Sequence, residues 1–365
     1  MARFDRWPCE RRPLLDPIIG ARIEQLTAYP AHHWHLSAPD TPLTPAGDSL
    51  LFASDRAGGL HPNLFRLQIR TGAIEQITGT DRLDPEAVTP AANGREAIAS
   101  LAGEEGELIA IDLETGDWET LAVFLRAGLD GCHRSAAGEY VVTVVTQEGE
   151  GTITAVHTEG MRTVPILGEL HGATAARFSP DSKNSVLYVT AAPAALRCVE
   201  FDGTGDRELY SGVQAFGVRC SARSDRPDRS DRSGPNTEHR TPNTEHRTRN
   251  ACPPSWLGAG DEVLFIAGSG QGPIMAVPRQ GGSPREISPL PCRWVRSNGT
   301  GDRLVALAAD RIVLIDPRSG GVRPLCSGCS AWVRPCFSPD GRWVVYADRD
   351  AQGYSQLFLA FLDEE

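Results

Sequence analysis

The sequence predicts an all-β protein, a seven-bladed β-propeller of four-stranded antiparallel blades closed by an N-terminal strand in the last blade. Three observations predict it. A hairpin motif recurs: Phe337-Ser338-Pro339-Asp340-Gly341 precedes Arg342 to Ala347, Phe178-Ser179-Pro180-Asp181 precedes Val186 to Val189, and Leu43-Thr44-Pro45-Ala46-Gly47 precedes Leu50 to Ser54. Each reads as a strand, a tight turn and a second strand. A second hairpin follows, as in Asn63 to Leu67, Thr71-Gly72 and Ile74 to Ile77, or Arg311 to Asp316, Ser319-Gly320 and Val322 to Leu325. Two hairpins make one blade, and the pairs recur with a period of about 40 residues, the spacing of propeller repeats.

In chain order, residues 1–21 form an N-terminal extension and 22–365 the propeller. The blades fall near 41–79, 85–121, 130–167, 172–210, 213–287, 291–325 and 331–362. The last unit runs out after its third strand, Leu357 to Phe361. Residues 22–27 resemble the fourth-strand segment Ile74 to Thr78, so they are expected to finish blade seven and remove an open edge. Within blade five, residues 221–250 are foreign in composition, with Asp-Arg steps and a duplicated Pro-Asn-Thr-Glu-His-Arg-Thr. They hold too little apolar surface to fold and are expected to be a disordered insertion. A metal role for His239 and His246 is the less economical reading.

Composition narrows the function. The net charge is -11, which repels a phosphate backbone and argues against nucleic acid as partner. Lys183 is the only lysine, so Schiff-base chemistry has one possible amine. No apolar window approaches a membrane span, and no segment has the apolar core of a signal peptide. A cytoplasmic location with reduced cysteines is therefore expected. Cys326-Ser327-Gly328-Cys329 is a single knuckle, whereas a structural zinc site pairs two. It reads as a small-residue turn, with zinc or redox chemistry as the alternative. Gly268 to Gly272 lies in a hairpin and opens no helix, so a phosphate-binding role is not expected.

The inner strands of a propeller begin near its axis on one face. Residues shortly before each first hairpin should therefore converge there: His32, His33 and His35, Asp84, Asp130, His171, Cys252, Cys292, Trp332 and Arg334. His33 and His35 share a face of an extended strand. With His171 they are the candidate metal ligands, against the plainer reading of a solvated loop. His133 reads as structural. Trp294, Trp332 and Arg334 suggest an aromatic and cationic patch suited to a sugar ring and a carboxylate, or simply channel packing.

The Ser-Pro-Asp-Gly hairpins, with Ser54-Asp55-Arg56-Ala57-Gly58 after the second strand of blade one, resemble the WD-like repeats of TolB-type propellers. Over most of its length the chain resembles oligogalacturonate lyases, which are seven-bladed enzymes of pectin breakdown. The resemblance rests on Ile23 to Thr27 with the His-rich segment after it, on Leu50 to Asp55, on Pro291-Cys292 with Ser297-Asn298, and on the last blade. It implies β-elimination, with manganese on the uronate carboxylate and a basic residue taking the α-proton. Yet the ligand positions hold Trp294, Cys329, Trp332 and Arg334. The position of the catalytic histidine falls near Pro253, and that of the supporting arginine near Ala195, two residues from Arg197. Tryptophan does not ligate a hard cation, and arginine is a permanent cation. The expectation is a non-catalytic or degenerate member that binds an acidic oligosaccharide or a protein partner on its funnel face. It needs no cofactor, and the catalytic residues are left unassigned. The alternative is an active lyase with a rebuilt site, which would need manganese or another divalent metal. A pure protein-interaction scaffold is the third reading.

Overall fold

The computed structural model describes residues 5–36, 41–58, 62–79, 82–101, 103, 105–160, 162–191, 193–211, 252–268 and 271–362. The insertion at 221–250 lies outside the described residues. The described secondary structure is entirely β and forms seven antiparallel sheets arranged as the blades of a propeller. Blades two to six are each a four-stranded meander. Blade two, for example, runs Leu83–Pro90, Glu96–Leu101, Gly106–Asp112 and Trp118–Phe124 from the axis outward.

The first hairpin of each blade turns where the sequence places its turn residues. Gly47 and Gly341 both have φ +70, and their amides close back on the carbonyls of Thr44 and Ser338 at 2.8 and 2.9 Å. A side chain is strained in that left-handed conformation, so glycine suits the position. In blade four the same role falls to Asn184, with φ 53, a residue that tolerates this region better than most.

The core consists of apolar layers between neighbouring blades. One layer joins blades one and two through Leu51, Leu64, Val88 and Ile109. Another joins blades three and four through Val142, Ile153, Phe178 and Tyr188. Each blade thus buries both faces, which is why its strands are apolar on alternate and adjacent positions alike.

Ring closure involves more of the N-terminus than the sequence suggests. Arg22–Gln25 pairs antiparallel with Ser355–Phe361 and is the fourth strand of blade seven. It is not the outermost strand, because Arg12–Leu15 pairs beyond it as a fifth. Arg6–Trp7 then adds a fifth strand to blade one, against Ile74–Gln76. Residues 5–21 therefore staple blade seven to blade one across the closing seam. Side chains reinforce it: Thr27 Oγ1 donates to Gln356 Oε1 at 2.8 Å and accepts from the Leu357 amide at 3.0 Å.

Candidate functional site

The inner strand of blade one is His33–His35, paired with Phe52 to Ser54. Although His33 and His35 sit two residues apart, they have different surroundings. His33 is fully buried. Its Nε2 accepts from Arg56 Nη2 at 3.2 Å, which leaves the ring neutral. Burial, then the Arg56 charge, pushes its pKa down to about 3. Arg56 comes from the Ser-Asp-Arg-Ala-Gly turn. It is held by both oxygens of Glu10 and lies against the rings of Trp7, Tyr29 and Phe65. His32 stays at the rim, stacked on Trp34 and tilted against Tyr354.

His35 belongs to a second cluster, which gathers inner-strand residues of blades one, six and seven. Its Nε2 lies 3.2 Å from Cys336 Sγ. Burial of the ring, followed by the charges of Arg334 and Arg296, lowers its pKa to about 3. Both arginines lie against one indole. The Arg296 guanidinium is 4.2 Å from the Trp294 ring centroid and that of Arg334 5.3 Å. Trp294 is fixed in turn by donating from Nε1 to the Pro335 carbonyl at 3.1 Å. Cation–π contact of this kind favours desolvated guanidinium groups.

Of the sequence candidates, the structure therefore brings together Trp294, Arg334 and His35. Trp332 is 47 % exposed and makes no ring contact with Trp294. His33 is tied to Arg56. His171 is exposed at the end of the outer strand of blade three, opposite Glu150. Asp84 and Asp130 are buried on the inner strands of blades two and three, on another arc of the ring. Asp130 Oδ2 accepts from the Ala175 amide of blade four at 3.1 Å. Both aspartates sit at bulges, which interrupt the inner strands between Leu83 and Val88 and between Asp130 and His133. His133 is buried and accepts from the Phe178 amide, a structural role.

Sequence reasoning missed Arg296, which makes the closer of the two guanidinium contacts with Trp294. Its only signal was position: it lies two residues after Trp294 and so on the same strand face. Elsewhere, Cys326 and Cys329 are buried, and burial pushes the Cys326 thiol up to about 12 and the Cys329 thiol higher still. Asp16 caps the turn between them, accepting from the Ser327 amide at 2.6 Å. Among the described residues, no group of three or more His, Cys, Asp or Glu is placed to hold a metal ion. No described helix is long and apolar enough to cross a membrane.

No family model matches the sequence, and no curated protein matches it. Solved structures do. An oligogalacturonate lyase in complex with manganese superposes with a TM-score of 0.79 at 15 % identity, covering 100 % of this chain and 99 % of that one. The oligogalacturonate lyase of Vibrio parahaemolyticus gives 0.78 at 13 % identity, with the same coverage. The β-propeller domain of Cps50 (Swd1) from Myceliophteria thermophila gives 0.57 at 14 % identity over 92 % of this chain and 98 % of that one. The chain is thus a seven-bladed β-propeller that follows the oligogalacturonate lyase fold from end to end.

Proposed function

We propose that this propeller binds an acidic sugar on its funnel face through arginine and tryptophan, without a metal and without cleaving it. The observation that carries the reading is the pairing of Arg296 and Arg334 on Trp294 beside a neutral His35. Two guanidinium groups supply the charge that a carboxylate needs, and the buried indole between them fixes their positions. The same residues do not fit a manganese ion. Hard cations take oxygen or imidazole donors, and the guanidinium charges would repel one. The two oligogalacturonate lyase structures support the choice of a uronate through the shared fold, and the departure from them in chemistry rests on these side chains. Calorimetric titration with digalacturonate in the presence of a chelator tests the reading. Metal-independent binding that weakens with salt is expected, and no heat at any concentration would refute it.

A protein-binding role rests on a different surface. Trp118, Val123 and Leu125 are 40 %, 49 % and 65 % exposed along the outer edge of blade two. Exposed apolar side chains on an outer strand suit a partner.

A further inference from the structure

We propose that Arg296 is the buried anchor for a single carboxylate in the funnel patch, with its Nη2 as the donor that the ligand satisfies. This deepens the ligand-binding reading above and rests on it. Arg296 is 3 % exposed, on the inner strand Trp294–Ser297 of blade six. Its donors divide unequally. Nη1 faces three acceptors: the carbonyls of Val295 at 2.8 Å and Pro253 at 3.0 Å, and Cys252 Sγ at 3.2 Å. Nη2 is fully buried and has no hydrogen-bond partner. Arg296 also forms no ion pair with the described residues.

A guanidinium cannot shed its proton to escape this position, and a buried donor left unmade is destabilising. The side chain is also held in place. Nη1 is tied to the backbone, and the guanidinium face lies on an indole that is itself fixed to Pro335. What remains is a charged, pre-oriented donor pair with its side-chain entropy already lost, so an anion that displaces the groups now covering Nη2 need not order the arginine itself. Its surroundings limit the anion. His35 stays neutral beside it and brings no third charge. One free arm of one guanidinium matches a monoanion better than a phosphate, which recruits several donors.

The test uses D-galacturonate as probe, with methyl galactoside as the uncharged ring of the same shape. Galacturonate is expected to quench the tryptophan fluorescence and the galactoside is not. Arg296→Lys keeps the charge but removes the guanidinium fork, Nη1 and its backbone contacts included; it should weaken galacturonate binding at least ten-fold when measured well below the variant's own, lower melting temperature. If Arg296→Lys binds like the wild type while Arg334→Ala does not, the anchor is misassigned and the binding reading survives. If the wild type binds neither probe, both fall. A crystal of the wild type soaked with galacturonate decides the matter without a variant. A carboxylate oxygen within hydrogen-bond distance of Arg296 Nη2 supports the anchor, and a carboxylate held by Arg334 alone overturns it.

Discussion

Glu10 grips Arg56 with both carboxylate oxygens, at 3.1 and 3.2 Å, and the Arg56 side chain is wholly shielded from solvent. The same carboxylate accepts from the Ala28 and Tyr29 amides at 2.7 and 3.0 Å. Arg56 in turn donates to His33 on the strand that carries His35. A residue of the N-terminal staple thus reaches, through one guanidinium, the inner strand on which part of the candidate site is built.

Removing Glu10 leaves a buried cation without its counter-charge, which typically costs about 3 kcal/mol. Glu10→Ala should therefore lower unfolding free energy in urea by about that amount, and removal of residues 1–28 should lower it further, because Ser355–Phe361 becomes an edge. An unchanged denaturation midpoint for the truncated chain would show that the staple closes nothing.

The pH dependence has a defined sign. The folded pKa of His33, about 3, lies below its ordinary value of 6.5. The fold favours the neutral ring, so the contribution is complete above about pH 6.5 and is lost as pH falls toward 3. At about 1.4 kcal/mol per unit, the loss between pH 6.5 and 4.5 is on the order of 3 kcal/mol. The carboxylates held low, such as Asp181 and Glu200, act mainly below that window. Urea unfolding of His33→Asn should show a flatter slope between pH 6.5 and 4.5. An identical slope would remove His33 from the explanation.

Cys326 and Cys329 should resist labelling by a thiol reagent in the folded protein and react in urea, because both are buried and their thiols are held protonated. Thiolate is the reactive form. Labelling of either at the rate of exposed Cys9 would contradict the burial.

Residues 221–250 carry almost no apolar side chain. Joining residue 220 to 251 through a short Gly-Ser linker should leave the melting temperature within a degree or so and abolish early proteolytic nicking. A large drop in stability would mean the segment is part of blade five.

The repeats were legible because turn chemistry is local. Ser338 to Gly341 announces its hairpin whatever lies around it, and so does Thr44 to Gly47. Closure by Ile23 could be inferred from an unfinished last blade. Arg12–Leu15 and Arg6–Trp7 could not, since both are short strands that exist only by pairing with distant edges. In the site, Trp294 and Arg334 were visible as an aromatic and a cation near the start of inner strands. Arg296 was not, because a single arginine on a strand has no signature until packing buries it. Likewise nothing in His33-Trp34-His35 revealed that Arg56 would claim one histidine and leave the other with Arg334 and Arg296.

One measurement bears most directly on the claim that the patch binds acidic sugar without metal and without cleavage. Purified protein is mixed with oligogalacturonate, with manganese or with chelator, while binding is followed by calorimetry and unsaturated uronate by ultraviolet absorbance. Binding of equal strength in both conditions, weakened in Arg334→Ala, with no rise in absorbance, is the predicted result. Manganese-stimulated release of unsaturated product, abolished by changing His33, His35 or His171, would contradict it and identify an active lyase with a rebuilt site.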